Sequence, residues 1–300
     1  MGWGSFNRDA YTLYASASTM RMDGTAKSIR EVFKQKTVHD DLDAKRIVLR
    51  ESCDSEDHPE SLPIIIGLDV TGSMGMIAHE IVKDQLGRLM EGILDEESIQ
   101  HPHLMFMAIG DAACDDIPLQ ASQFESDIRI AQQLTDIYLE GGGGGNDTES
   151  YDLPWYFAAT KTKIDSFDKR DKKGYLFTIG DEMSPAGVTK LQLERTFGTG
   201  QYTDLTSGQM LEMAKEKYDV FHVIVEEGTY AKRELTKVCK SWTNLLGKRA
   251  IRLVNYKYLS EVIVSVIRVN EGEDPENVID SFQDTKVKDV IRHALYNNMQ

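Results

Sequence analysis

The chain reads as an α/β protein: a doubly wound, mostly parallel central sheet with helices on both faces, extended at its N and C termini. Three observations predict this. Continuous β-branched or aromatic runs, such as Ile64-Ile65-Ile66-Gly67-Leu68 and Tyr175–Ile179, have the composition of central strands buried on both faces. Between such runs, apolar residues recur at three- and four-residue steps, the period of amphipathic helices. Strand and helix patterns then alternate to the C-terminal region, as in parallel sheets built from β-α-β units.

Taken in order, residues 1–60 read as an N-terminal extension, with a short helix over 25–33 and an acidic, proline-ended linker from Glu51 to Glu60. The first core strand follows Pro63. Gly72 and Gly75 mark a turn, and Ile77, Ile81, Val82, Leu86, Leu89, Met90 and Ile93 predict a long amphipathic helix. Leu104–Ile109 is a second strand, with Ile117–Ala121 as a short hairpin partner and helix expected over Ile128–Leu139. Five glycines, Gly141–Gly145, then precede Asn146-Asp147-Thr148. A helix is expected from Trp155 to Ile164, and the strand at Tyr175–Ile179 ends in Gly180-Asp181, as Leu104–Ile109 ends in Gly110-Asp111. Beyond these come a helix at Met210–Ala214, a strand at Val220–Val225, a helix at Leu235–Leu246, a strand at Ile251–Val254 and a helix at Leu259–Ile267. The chain divides into the extension 1–60, a main domain 61–271 and a helical tail 272–300.

At 300 residues, 41% hydrophobic and 28% charged, the chain can bury a full core. A formal charge of −15 argues against nucleic-acid binding, which needs a basic face, and against docking on anionic lipid. Cys53, Cys114 and Cys239 form no CxxC pair, so neither a zinc knuckle nor a disulfide framework is expected. No basic start followed by an apolar run opens the chain, and no apolar stretch reaches membrane-spanning length; the expectation is a cytoplasmic protein.

In open α/β sheets, ligands bind beyond the carboxyl ends of the strands. Asp69-Val70-Thr71-Gly72-Ser73, Thr148 beyond the glycine run, and Asp181 all fall at such positions. The donors are all oxygen, two carboxylates and three hydroxyls, a set that suits Mg2+, with Mn2+ and Ca2+ as alternatives, rather than zinc or copper. Asp69, Thr71 and Ser73 alternate, so an extended turn can point them the same way. Two carboxylates would leave a divalent cation near neutral and open to an incoming acidic ligand. The blander reading is that Asp69 to Ser73 caps the following helix.

Asp69-Val70-Thr71-Gly72-Ser73-Met74-Gly75, placed between a buried strand and a helix, resembles the metal-ion-dependent adhesion site of von Willebrand factor A domains, Asp-x-Ser/Thr-x-Ser. Thr148 after its glycine run resembles that family's threonine loop, and Asp181 its final aspartate. The resemblance covers about residues 63–267. It implies a Rossmann-like fold in which Thr71 and Ser73 ligate the cation directly, Thr148 does so when a ligand is present, and Asp69 and Asp181 act directly or through water. It implies a non-enzymatic protein-binding module whose cation grips an Asp or Glu of a partner, as an adaptor in an intracellular complex; an AAA+ ATPase is one class of partner.

Two other classes stand beside it. The metal could simply stabilise a component of a larger assembly. A phosphatase of the haloacid-dehalogenase type needs Asp-x-Asp, and Thr71 occupies the second position. The acidic loop Asp111, Asp115 and Asp116 is expected to be solvated, His101-Pro102-His103 to be a turn, and Met74, Met76, Tyr151, Trp155 and Met183 to lie near the rim of the site. The glycine run is not followed by Gly-Lys-Ser/Thr, so it is no phosphate loop.

Overall fold

The computed structural model describes residue 23 and residues 35–81, 86–94, 99–127, 129–139 and 147–296. The helix expected over 25–33 and the glycine run 141–145 lie outside them, as do residues 82–85 of the helix expected from Ile77 to Ile93.

The centre is a six-stranded sheet. Its strands are β2 (Leu62–Asp69), β3 (Pro102–Ile109), β4 (Leu119–Ala121), β6 (Gly174–Gly180), β9 (Tyr218–Val225) and β10 (Ala250–Leu253), in the order β10-β9-β6-β2-β3-β4. Every neighbouring pair is parallel except β3 and β4, which form an antiparallel edge. Chain order runs outward from β2 in both directions, so the order of strand addition reverses between β2 and β6. In open α/β sheets the carboxyl ends of strands at such a switch in strand order are where ligands bind.

All eight residues of β2 and of β3, and all seven of β6, are buried. Their side chains alternate between two apolar layers, as the two-residue period of a strand requires. Ile64, Ile66, Leu68, Phe106 and Phe177 enter one layer, while Ile65, Met105, Met107 and Leu176 enter the other. The first layer is closed by α2 (Leu86–Leu94), α9 (Leu259–Asn270) and α11 (Thr285–Tyr296), through Leu89, Met90, Val262, Ile263 and Ile291. The second is closed by α4 (Leu153–Lys161), α6 (Lys190–Phe197), α7 (Ser207–Lys215) and α8 (Thr229–Leu246), through Trp155, Phe157, Leu193, Met210 and Trp242. Helices therefore cover both faces of a mostly parallel sheet. Among the described residues, no helix is long and apolar enough to cross a membrane.

Several elements differ from expectation. The helix opening at Leu153 stops at Lys161, because Thr162–Ile164 (β5) pairs in parallel with Arg50–Ser52 (β1) as a separate two-stranded sheet. Part of the segment read as extension and linker is thus strand. Leu42, Ala44 and Ile47 are buried in the two layers, and the amide of Ala121 donates to the Leu42 carbonyl at 2.9 Å. Asp54, read as linker, is clamped by Arg170 at 2.6 Å from the end of α5 (Asp165–Arg170). His101-Pro102-His103 is not a free turn: Pro102 and His103 begin β3, where proline is tolerated at a strand's first position. At the C-terminal end, α10 (Pro275–Ser281) and α11 bury Ile279, Val287, Val290 and Ile291 in the first layer, so the tail is part of the core.

Candidate functional site

The residues after β2 form a tight turn before α1 (Gly75–Glu80), where Met74 is the buried residue preceding the helix. Asp69 ends the strand and is wholly buried. Its Oδ1 accepts from the Thr71 amide at 2.9 Å and from the Thr71 hydroxyl at 2.6 Å. The Thr71 and Ser73 hydroxyls lie 3.4 Å apart, and Ser73 donates to Asp181 Oδ1 at 2.8 Å. Four of the five predicted residues, Asp69, Thr71, Ser73 and Asp181, thus share one hydrogen-bonded cluster at the carboxyl ends of β2 and β6.

Asp181 owes its place to the following element. The start of α8 lies against it, and the Tyr230 amide donates to Asp181 Oδ2 at 2.8 Å, so a helix N-terminus faces the carboxylate. The approach is close enough to need a glycine: a Cβ on Gly228 would stand 2.2 Å from Asp181 Cβ. The Thr229 amide also donates to the Ser73 carbonyl at 3.1 Å, tying the first motif to the same helix end.

Thr148 stands beside the cluster rather than within it. Its hydroxyl donates to the Met183 carbonyl at 2.9 Å and lies 3.2 Å from the Glu149 carbonyl. It is held against the loop after β6, next to Asp181 in sequence but turned to backbone.

Three further residues belong to the site: Tyr151, which the sequence placed near its rim, and two glutamates that it did not single out. The Tyr151 hydroxyl donates to Asp69 Oδ2 at 2.6 Å, which gives both carboxylate oxygens a donor. Tyr151 is held by edge contacts with His222 and Trp242, whose rings stack 3.4 Å apart. Gly180 makes room for it, since a Cβ there would lie 2.1 Å from the phenol oxygen. Burial raises the Tyr151 phenol well above its usual range, as do the charges of Asp69 and Asp181, so it stays a donor. The other two are Glu149 and Glu182, 3% and 5% exposed. One oxygen of each, Oε2, is buried without a hydrogen-bond partner. The Thr71 hydroxyl draws the Glu149 carboxyl down, and the Ser73 hydroxyl that of Glu182, against the larger raising effect of burial. The sequence carried a signal for both: each is an acidic residue directly following a predicted ligand, Thr148 or Asp181.

Electrostatically the site is in deficit. Burial pushes the Asp69, Asp181 and Glu149 carboxyls up, and neighbouring carboxylates add to this for Asp69 and Glu149. Burial, then Asp69 and Asp181, push Glu182 up to about 8. Hydrogen bonds from Thr71, Tyr151, Ser73 and the Tyr230 amide offset only part of this. Among the described residues, no Lys or Arg pairs with any of the four. Buried charges are ordinarily paired or coordinate a metal. An all-oxygen set with unpartnered carboxylate oxygens therefore fits a hard cation in its chemistry. In spacing, the acidic groups stand apart as like charges do: among the described residues, no three His, Cys, Asp or Glu side chains converge into a ready cage.

The neighbouring acidic loop is not solvated. Asp111 and Asp115 are buried, with Asp111 Oδ1 accepting from the Ala113 amide at 2.8 Å and Asp115 Oδ2 from the Asp111 amide at 2.7 Å; Asp116 is exposed. Among the residues expected at the rim, Met76 is exposed and Met183 is partly buried. Met74, Tyr151 and Trp155 are core.

No family model matches the chain, and no curated protein matches it. Solved structures similar to it include the pilus adhesin SpaC from Lactobacillus rhamnosus GG in its open conformation, at 8% identity and a TM-score of 0.45, covering 76% of this chain and 31% of the adhesin. A second structure of that adhesin gives 11% identity and a TM-score of 0.42, over 76% of this chain and 32% of the adhesin. The chain spans about a third of the adhesin's length, and a likeness at this level assigns neither family nor function.

Proposed function

We propose that this chain is a cation-dependent protein-binding module of the von Willebrand factor A type, without enzymatic activity of its own. In this reading Asp69, Thr71, Ser73 and Asp181 hold Mg2+, or Mn2+ or Ca2+, with Thr148 joining when a partner is bound. The partner offers an Asp or Glu carboxylate to the cation. The observation that carries the reading is the link between two distant segments: the Ser73 hydroxyl on Asp181 Oδ1 at 2.8 Å, at the strand ends where the order of strand addition reverses. A helix cap alone accounts for Asp69 to Ser73 but not for a second buried aspartate brought to them from another strand. The resemblance adds a Rossmann-like fold of that family and a role as adaptor in an intracellular complex, with an AAA+ ATPase as one class of partner.

The test is calorimetric titration of Mg2+, Mn2+ and Ca2+ into the full chain and into Ser73→Ala. Saturable binding by the wild type that the variant loses supports the reading. No binding by any of the three, with acidic peptides added as well, ends it.

A second reading, a cation that only stabilises the fold, is favoured by the complete burial of Asp69. The two separate on Asp69→Ala: a stabilising ion predicts a large drop in melting temperature, and a recognition ion predicts a folded protein that no longer binds its partner.

A further inference from the structure

We infer that His58 and His103 form an acid-sensitive latch, which seats the turn 55–60 against the amino end of the sheet and releases it when His103 takes up a proton. The latch lies at the opposite end of the strands from Asp69 and Asp181 and is independent of the cation reading.

Three histidines meet at this end. The His58 ring centre stands 5.3 Å from that of His103 and 5.7 Å from that of His101, edge to face in both pairs. His103 is the second residue of β3, and the Ser52 hydroxyl at the end of β1 lies 3.0 Å from its Nδ1. His101, just before the strand, holds a left-handed backbone with φ 53°, and its carbonyl accepts from the Leu62 amide at 2.9 Å. β2 sets the uncharged Pro63 beside His103. The acidic group that acts on His103 is Asp54, which is already committed to Arg170 at 2.6 Å, to Lys169 at 3.4 Å and to the Ser61 hydroxyl at 2.9 Å.

The turn is closed on itself and fixed at its base. The Ser55 amide donates to the His58 carbonyl at 2.9 Å, and the His58 amide to the Ser55 hydroxyl at 3.0 Å. Below it, Asp54 accepts from the Ser61 amide at 3.1 Å, and the Asp54 amide donates to Asp165 at 2.9 Å. Glu56, Asp57, Pro59 and Glu60 are exposed, whereas His58 is 8% exposed. The His58 ring is therefore what the turn buries on the sheet.

A proton is what this seat cannot accommodate. His103 is 2% exposed, and its Nε2 is buried with no hydrogen-bond partner among the described residues. In the imidazolium both ring nitrogens are donors, so the charge would be buried without an acceptor at Nε2. Burial accordingly holds His103 down to about 4, and the facing His58 adds to this. A histidine that is depressed in the closed state and ordinary, near 6.5, once exposed favours closure fully above about pH 6.5. That preference is lost as pH falls from about 6.5 to about 4, and between pH 7 and pH 5 the closing equilibrium falls about twentyfold. Asp54 titrates below this window, so the base of the turn stays clamped while the tip opens.

The test is amide hydrogen exchange, read by mass spectrometry on the full chain at pH 7 and pH 5 and corrected for the chemical exchange rate, with His103→Gln and His58→Gln. The expected result in the wild type is a roughly twentyfold loss of protection over residues 55–62, with residues 175–179 of β6 unchanged. His103→Gln, which cannot take up the proton, should be equally protected at both pH values. His58→Gln should already be less protected at pH 7, because the turn has lost its buried ring; unaltered protection there overturns its part in the latch. A wild type protected equally at both pH values overturns the latch. So does an equal loss in His103→Gln, which puts the titrating group elsewhere, and so does a loss that includes β6, which is acid unfolding of the whole chain. Should the variant fail to fold, NMR titration of the His103 ring in the wild type decides: a midpoint below the ordinary value near 6.5 is expected, and one at or above it overturns the latch.

Discussion

At the scale of single residues, the first motif was readable because its members are neighbours in sequence; Tyr151 was placed near the rim, but its bond to Asp69 was not readable. Its hydroxyl reaches Asp69 across 82 positions, and no spacing rule encodes a contact of that separation. Its apolar setting, edge-on to His222 and Trp242, is what any core aromatic would have. The phenol is nevertheless the sole donor shown to Asp69 Oδ2, in a fully buried position. Tyr151→Phe leaves that oxygen without its donor, and the cost of an unsatisfied buried acceptor is about 1–3 kcal/mol. A urea-unfolding midpoint that falls with an unchanged slope is the expected signature, since only stability changes. An unaltered midpoint would mean that water replaces the hydroxyl.

At the scale of elements, long periodic segments were foreseen, and so were the short strands β4 and β10; other short elements were not. β2, β3, β6 and β9 are continuous apolar runs whose composition alone marks burial on both faces. α6 escaped, and α7 was foreseen only from Met210, although each opens on a capping box, Thr189 with Gln192 and Thr206 with Gln209. That signature, Thr-x-x-Gln, was present in the chain and was overlooked because weak apolar periodicity surrounded it. β5 is a different case. Thr162–Ile164 continues a helical pattern, and only its pairing with β1 makes it a strand.

The loop between β1 and β2 is fixed to α5 by charge, which yields a pH prediction. Burial raises the Asp54 carboxyl, but hydrogen bonds from Arg170 and Ser61 overcome this and pull it down to about 2. A carboxyl depressed in the folded state contributes stability that is complete above its unfolded value near 4 and lost as pH falls through about 2. Allowing for solvent screening at this partly open position, Arg170→Ala costs about 1–2 kcal/mol at neutral pH. Urea midpoints taken from pH 7 to pH 2 should show the wild type losing that margin between pH 4 and 2, with the variant's curve flatter there. Parallel curves would mean that Ser61 and Lys169 hold the carboxylate without Arg170.

At the scale of the whole molecule, the core does not respect the boundaries that composition suggested. Leu42 and Ile47 at one end, and Ile279 and Ile291 at the other, share layers with the central strands. The same unity couples the site to global stability, because Asp69 ends the central strand and Asp181 meets the start of α8, a helical segment kinked at Glu234. A cation that binds only the folded state adds about 2.7 kcal/mol at a hundredfold excess over its dissociation constant. For a chain of this size that raises the melting temperature by roughly 4 °C. Thermal melts with and without Ca2+ or Mg2+ should show this rise in the wild type and none in Ser73→Ala; equal rises in both would place the stabilising ion elsewhere.

What the sequence by itself determined is what local pattern can carry. The class of the fold follows from alternating strand and helix periods, and the strand ends at Asp69 and Asp181 follow from apolar runs stopping at a carboxylate. Both are statements about neighbours along the chain. Only the tertiary structure decided that the order of strand addition reverses between β2 and β6, which sets those two aspartates together and links them through Ser73. It alone turned the Thr148 hydroxyl to a carbonyl and buried Glu149 and Glu182 beside the motif. The physical reason is that burial belongs to a position in space: an acidic residue in a loop reads as solvated until the elements packed around it remove the water.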